Sequence, residues 1–333
     1  MSAIKVADDA DLNDDCIKLR TAMADIGCDK KALMGVICHR NQQQRSKIRH
    51  MYGIKYEEDL VNRLRAKLHG NLEASVALWM CDPAERDAVI IGNALKGWSK
   101  DLAAVVEIIY FRTPAEVQEI RCAYFTTFNR SMEQDIGLRT SGDEKRLLLA
   151  LVREDRPDIL EPDVAVAVSD ATDLLAAVSR RHAVEKSQII KIISTRCPME
   201  MKFTLDYYKQ TFRHSLQKVI KQELKGCFQK LLRVALKCAK NPVNYFAKAL
   251  YTSMKGLGTD DSTLVRVMVM RAEVDMQEIK MHFQKKYEKS LQAMIISDTS
   301  GSYRTFLLYL SGATLSEVRA VSSLSHVFNS RRR

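Results

Sequence analysis

The residues whose types and spacing are best suited to bind a ligand lie in one short loop. The segment Met254-Lys-Gly-Leu-Gly-Thr-Asp-Asp261 contains two glycines, which allow a tight turn and leave backbone carbonyls uncovered. A later segment, Ser297-Asp-Thr-Ser-Gly301, adds a carboxylate. Carbonyl and carboxylate oxygens form a hard ligand set that suits Ca²⁺, which takes about six to eight oxygens. The loop therefore predicts calcium binding.

Two common loop types are excluded by their spacing. The D-x-D-x-D-G pattern of an EF-hand is absent, and so is the G-x-x-x-x-G-K-[ST] pattern of a phosphate-binding loop. Thr259 is predicted to cap the helix that follows the loop, with Asp260 and Asp261 in its first turn.

Residue patterns typical of catalysis are missing. None of the seven histidines forms H-E-x-x-H, and no G-x-S-x-G occurs. The eight cysteines form no C-x-x-C, which makes a zinc site improbable. We therefore expect that the protein is not an enzyme.

The elements that must position the loop belong to a fourfold repeat. An arginine closes an apolar stretch four times, and a glycine follows each arginine thirty residues later. The arginines are Arg40, Arg112, Arg196 and Arg271, and the glycines are Gly70, Gly142, Gly226 and Gly301. Chance does not readily explain two sets of residues with the same spacing.

Within each repeat the apolar residues recur at helical spacing, as in Leu102–Tyr110. Pro114 and Pro198 follow the repeat arginine closely and fit the first position of a new helix. We expect an all-α protein with about five short helices in each repeat. Because such helices are too short to be stable alone, they must pack on one another.

A stretch rich in proline and acidic residues lies between the second and third repeats and predicts a linker between two halves. The expected segments are 10–82, 83–153, 168–241 and 242–312 for the four repeats, 154–167 for the linker, and 313–333 for a basic carboxyl-terminal tail.

The formal charge is +11, with 52 Lys and Arg against 41 Asp and Glu, which favours an anionic partner. No nucleic-acid reader motif is present, so we expect no nucleic acid as partner. No apolar run approaches the roughly 20 residues needed to cross a bilayer. The start of the chain lacks an apolar signal segment, so we expect a cytoplasmic protein.

The four repeats of about seventy residues, with a K-G-x-G-T loop and an acid forty residues beyond its second glycine, resemble the annexin family. The resemblance implies a curved array of four five-helix repeats. It also implies one Ca²⁺ held by the carbonyls of Met254, Gly256 and Gly258 and by the carboxylate of Asp298. A lipid phosphate and water would complete its shell.

The same spacing from the repeat arginine and glycine identifies the corresponding loop and acid positions in the other three repeats. Repeats one and two place Lys67 and Arg139 where the acid belongs, so we predict no calcium there. Repeat three keeps Glu223 but has lost both glycines, which leaves at most a weak site. One hypothesis is that Lys67 and Arg139 replace the metal by donating to the loop carbonyls; the alternative is a pair of solvent-facing charges.

In the family these loops share one convex face. Leu257 and Trp98 lie at loop tips and are expected to contact the membrane, together with Lys255 and Lys100. The alternative for Trp98 is a place in the core.

We therefore predict calcium-dependent, peripheral binding to anionic phospholipid membranes through these loops. The alternative is a cytoskeleton-associated scaffold that keeps the annexin fold but needs little or no calcium. The loss of three loops favours that alternative, and divergent family members such as the alpha-giardins show a similar pattern of altered loops.

Overall fold

The computed structural model describes residues 1–4, 6, 11–24, 27–97, 99–153, 156–157, 161–179 and 184–319. Within these residues every regular element is an α-helix. Twenty helices are present there, five in each repeat. The predicted all-α class with five helices per repeat is therefore confirmed.

Repeats one and two supply the first ten helices. Those of repeat one are α1 Leu12–Ala22, α2 Lys30–Ile37, α3 Gln42–Tyr56, α4 Leu60–Lys67 and α5 Gly70–Met80. Those of repeat two are α6 Pro83–Leu95, α7 Leu102–Tyr110, α8 Pro114–Phe128, α9 Met132–Arg139 and α10 Gly142–Arg153.

Repeats three and four follow the same order. The helices of repeat three are α11 Val164–Val178, α12 Lys186–Thr195, α13 Pro198–Phe212, α14 Leu216–Glu223 and α15 Gly226–Lys240. Those of repeat four are α16 Pro242–Ser253, α17 Asp261–Arg271, α18 Met276–Tyr287, α19 Leu291–Asp298 and α20 Gly301–Leu310.

The residues after the repeat arginine start the third helix of repeats two and three. Pro114 and Pro198 are the first residues of α8 and α13, as predicted. Proline suits this position because its missing N–H would have no partner in the helix. The caps Thr113 and Cys197 each form a capping box with the glutamate three residues later.

The repeat arginine is held by a carboxylate in all four repeats, but not by the same one. In repeats one to three it pairs with an aspartate on the first helix: Arg40 with Asp15 at 2.6 Å, Arg112 with Asp87 at 2.7 Å and Arg196 with Asp170 at 2.6 Å. In repeat four Phe246 lies on the first helix, and the Arg271 guanidinium is 4.6 Å from its ring centroid. Arg271 pairs with Asp275 instead, at 2.5 Å.

The chain divides into two compact units, residues 1–82 with 243–333 and residues 83–242. The first unit contains repeats one and four, and the second contains repeats two and three. The linker 154–167 thus lies inside the second unit and does not separate two halves. Its Arg156 is buried and donates hydrogen bonds to the carbonyls of Ile109, Tyr110 and Arg112, which the end of α7 leaves open.

Each unit has its own core. The largest fully buried side chains of the first unit are Trp79, Tyr52, Phe246, Phe283 and Phe306, and those of the second are Tyr110, Tyr124 and Tyr208. Among the described residues, no helix has the length and apolar character needed to cross a membrane.

Candidate metal centre

Each repeat has a loop between its first and second helices, and one backbone hydrogen bond closes each loop. The four bonds are Asp29 N to Ala22 O (2.8 Å), Asp101 N to Ala94 O (3.0 Å), Glu185 N to Ala177 O (2.9 Å) and Asp260 N to Ser253 O (2.8 Å). The third loop is one residue longer than the others. The four loops are therefore closed by equivalent hydrogen bonds and differ in the residues they carry.

The loop of repeat four has the backbone that its glycines predict. Gly256 and Gly258 have φ angles of 121° and 83°, in the region that favours glycine. A Cβ atom at either position would meet nothing within 4 Å, so backbone conformation rather than space requires glycine here. Met254 is buried at the start of the loop, whereas Lys255 to Gly258 are exposed.

Asp298 lies beside this loop although it is forty residues away in sequence from Gly258. The Thr259 hydroxyl donates to a carboxylate oxygen of Asp298 at 2.6 Å and lies 3.2 Å from the backbone carbonyl of the same residue. Asp298 is the last residue of α19, and it is partly buried. The structure thus brings together the loop and the acid that the sequence predicted as one site.

The oxygens around this junction fit calcium. Within the described part of the chain, the carbonyls of Met254, Gly256 and Gly258 accept no hydrogen bond, so they are free to act as ligands. Carbonyls and one carboxylate are the oxygen ligands that Ca²⁺ accepts with flexible geometry. Among the described residues, no cluster of three or more His, Cys, Asp or Glu residues offers a different kind of metal site.

The cap of the following helix differs from the prediction. Asp260, not Thr259, is the N-cap of α17, and its carboxylate accepts a hydrogen bond from Thr263 N at 3.1 Å. Thr259 is free to reach Asp298 because Asp260 takes the capping role. Asp261 lies in the first turn as predicted and accepts a 2.9 Å hydrogen bond from the Tyr303 hydroxyl.

Tyr303 stabilises the start of α17, beside the site, through its hydrogen bond to Asp261. Burial, followed by the hydrogen bond to Asp261, raises the pKa of its phenol above the usual value. The phenol therefore stays protonated and remains a hydrogen-bond donor to Asp261. This contact ties α20, which begins just after Asp298, to the first turn of α17.

The two predicted membrane contacts of this loop differ in whether the side chain contacts a neighbouring residue. Leu257 is fully exposed at the loop tip. The Lys255 ammonium lies 5.4 Å from the centroid of the Tyr251 ring, which stacks in turn on Tyr287. Trp98, predicted at the tip of the second loop, is outside the described residues.

In repeat one, Lys67 lies near the first loop. It is the last residue of α4. Burial raises the pKa of the Cys28 thiol in that loop, and the Lys67 charge has a small opposing effect. Cys28 has the position in repeat one that Thr259 has in repeat four.

In repeat two, a different cation approaches the acid position. The Lys100 ammonium donates to the backbone carbonyl of Arg139 at 2.5 Å. The Arg139 guanidinium lies 3.9 Å from the carboxylate of Asp135, which is in the first turn of the same helix. Among the described residues, this guanidinium pairs with Asp135 and with none of the loop carbonyls.

In repeat three, Glu223 is exposed at the end of α14. It lines an open pocket of about 660 Å³ that also includes Asp143, Lys186 and Lys225. Lys186 forms a 2.6 Å ion pair with Asp143, which lowers the pKa of that carboxyl group. The predicted loop residues 180–183 lie outside the described residues.

The sequence analysis did not predict two contacts, that of Thr259 with Asp298 and that of Lys100 with the carbonyl of Arg139. The register that identifies the acid position also aligns Thr259 with Lys100, so it could have shown that one position supplies a hydroxyl in repeat four and an ammonium in repeat two. Both side chains reach the end of the fourth helix of their own repeat.

A family comparison accounts for the repeat pattern. The annexin family model matches residues 14–79, 86–151, 169–235 and 245–310. Annexin D5 of Arabidopsis thaliana is 40% identical over 298 residues, which cover 90% of this chain and 94% of the relative. Annexin A4 of Homo sapiens is 37% identical over 309 residues, covering 93% and 97%.

Solved structures agree with this comparison. The structure of annexin III has a TM-score of 0.89 at 32% identity and covers 94% of this chain and 97% of its own. A calcium-bound alpha-14 giardin has a TM-score of 0.75 at 19% identity, covering 91% and 100%, which shows the fold alone. The annexins above are thus nearer to this chain than that giardin is.

Proposed function

The chain belongs to the annexin family, and on that premise we propose that it binds anionic phospholipid membranes mainly through one calcium site in repeat four. Annexins are non-enzymatic proteins that bind calcium and phospholipid, so membership implies calcium-dependent lipid binding and agrees with the absence of catalytic patterns. Calcium bound here would supply a positive charge that links loop oxygens to a lipid phosphate.

The junction of Thr259 and Asp298 is the observation on which the site depends most. It holds the carboxylate beside a loop whose carbonyls of Met254, Gly256 and Gly258 have no other partner among the described residues. A site arranged in this way before the metal arrives loses little conformational freedom on binding. These four residues are therefore the proposed ligands.

The proposed membrane contacts surround this site and the equivalent loop of repeat two. Leu257 is exposed where an apolar side chain can enter the headgroup region, and Lys255 and Lys100 are exposed cations. Trp98 remains a proposal from sequence alone.

The other repeats contribute little calcium binding in this proposal. Lys67 and Arg139 occupy the acid positions of repeats one and two, where a cation repels Ca²⁺. We retain them as candidate replacements for the metal. Glu223 remains a possible weak ligand, since it is exposed but the loop beside it lacks glycine.

The cellular setting and the segment boundaries stay proposals. We propose a cytoplasmic protein that associates peripherally with membranes, with the repeat, linker and tail boundaries predicted from the sequence. The tail beyond residue 319 lies outside the described residues. A cytoskeletal polymer is retained as an alternative partner.

Sedimentation with vesicles tests the proposal. The wild type, Asp298→Ala and Glu223→Ala would be centrifuged with vesicles of phosphatidylcholine and phosphatidylserine, in calcium and in EGTA. Asp298→Ala is expected to abolish calcium-dependent pelleting because it removes the only carboxylate of the site. Glu223→Ala, which changes the equivalent position of repeat three, is the matched control and is expected to change pelleting by less than about twofold.

Each alternative predicts a different result. Equal losses in the two variants would mean that the acid of repeat three contributes as much as Asp298, against one main site in repeat four. No pelleting of the wild type in either condition would favour the scaffold, which sedimentation with filaments would then test directly.

A further inference from the structure

The loop of repeat two places a fixed cation where repeat four has a hydroxyl. Thr259 and Lys100 occupy equivalent positions in their loops. The hydroxyl of Thr259 lies 3.2 Å from the carbonyl of Asp298, and the ammonium of Lys100 lies 2.5 Å from the carbonyl of Arg139. These two carbonyls are also equivalent, each three residues before the repeat glycine. Repeat two thus has a charged ammonium at the carbonyl that a neutral hydroxyl contacts in repeat four.

A second lysine reinforces the same end of α9. The Lys145 ammonium donates to the carbonyl of Gly137 at 3.1 Å. In repeat three the equivalent carbonyl, of Lys221, accepts from the neutral amide of Gln229. Cations are favoured at the carboxyl end of a helix, where the helix dipole is negative. The two lysines therefore hold positive charge at the end of α9 without a metal.

An exposed leucine lies between these two carbonyls in the chain. Leu138 follows Gly137 and precedes Arg139, and it is 76% exposed. The equivalent residues of the other repeats are Ala66, Gln222 and Ser297, so repeat two alone has a large apolar side chain there. An apolar side chain beside fixed cations is the combination that enters an anionic membrane interface.

We propose that the end of α9 in repeat two, with Lys100 and Leu138, docks on an anionic phospholipid bilayer without calcium. This inference rests on the proposed membrane function and adds a second contact that differs from the calcium site. Lys100 is exposed and has three N–H donors, of which Arg139 uses one. Among the described residues no other acceptor is bonded to this ammonium, so its other donors can reach lipid phosphate while Leu138 enters the interface.

The experiment measures binding in EGTA, where the repeat-four site is without metal. Wild type, Lys100→Thr and Leu138→Gln would be sedimented with vesicles containing phosphatidylserine, and with phosphatidylcholine vesicles for comparison, at low salt. Lys100→Thr installs the residue of repeat four. Lys209→Gln is the charge-matched control, and Ile54→Gln is the control for an exposed apolar residue, since Ile54 is 71% exposed on α3.

The two test variants are expected to weaken binding to anionic vesicles, and the controls are not. Lys100→Thr should lower the partition coefficient by about fivefold, the effect of one cation at an anionic surface. Leu138→Gln should lower it several-fold, and the controls should stay within about twofold. Far-ultraviolet circular dichroism of all variants verifies that each one is folded.

Two results would overturn the inference. One is a wild type that does not pellet with anionic vesicles in EGTA at low salt. The other is an equal loss in Lys209→Gln and Lys100→Thr, which would indicate net charge rather than a docking site. A calcium arm with Asp298→Ala judges the repeat-four site separately, so each proposal can fail while the other stands.

Discussion

At the scale of single residues, position in the loop decides which chemistry a repeat has. Thr259 and Lys100 stand at equivalent positions and reach equivalent carbonyls, but one supplies a neutral hydroxyl and the other a charged ammonium. The hydroxyl also binds the Asp298 carboxylate and so orients it. A neighbour that orients a metal ligand commonly affects affinity strongly, although it does not touch the metal.

Replacement of Thr259 by valine tests this orienting role. Thr259→Val keeps the shape but removes the donor to Asp298, so the calcium concentration at half-maximal vesicle pelleting should rise by roughly tenfold. Thr252→Val is a control, because in the described part of the chain the Thr252 hydroxyl donates within its own helix and not to Asp298. Unchanged calcium midpoints in both variants would mean that Asp298 needs no support from Thr259.

At the scale of elements, an arginine–aspartate pair joins the end of the second helix to the first helix in repeats one to three. Asp15 on α1 is almost completely buried and makes two hydrogen bonds to the Arg40 guanidinium, at 2.6 and 2.7 Å. Arg40 follows α2, which begins at the loop of repeat one. The pair therefore holds both sides of that loop at a fixed separation.

Removal of the buried aspartate should be costly, whereas removal of its neighbour should not. Asp15→Ala leaves the Arg40 guanidinium without its charge partner and should lower the free energy of unfolding by about 3 kcal/mol or more. Asp14→Ala removes only an exposed pair with Lys18 and should cost less than about 1 kcal/mol. Urea unfolding followed by circular dichroism compares them, and similar costs would argue against a structural role for the buried pair.

At the scale of the whole molecule, the order of repeats in sequence differs from their grouping in space. Residues 83–242 form one unit from repeats two and three, which are consecutive, whereas the other unit uses both ends of the chain. Arg156 of the linker caps the end of α7 within the consecutive unit. That unit has its own core and an internal linker.

Fragments test whether this unit is independent. The fragment 83–242 should fold alone, with a helical spectrum and a cooperative thermal transition, because it contains one complete unit. The fragment 1–153, of similar length, takes part of each unit and should unfold without a cooperative transition. Cooperative unfolding of the second fragment and not the first would show that sequence order governs independence.

The sequence by itself determined the fourfold repeat, the all-α class and the family. These features are encoded locally, by apolar periodicity, by the spacing of arginine and glycine, and by prolines such as Pro114 at helix starts. The loop of repeat four and Asp298 were predictable for the same reason, since both belong to a motif with fixed spacing.

Only the tertiary structure decided which groups meet. Thr259 was expected to cap a helix, but it contacts Asp298, and Lys100 contacts the carbonyl of Arg139. Such contacts depend on where two chain segments approach in space and on which neighbour, here Asp260, already satisfies the helix end. The pairing of repeats was likewise decided by packing between surfaces distant in sequence, which local patterns do not encode.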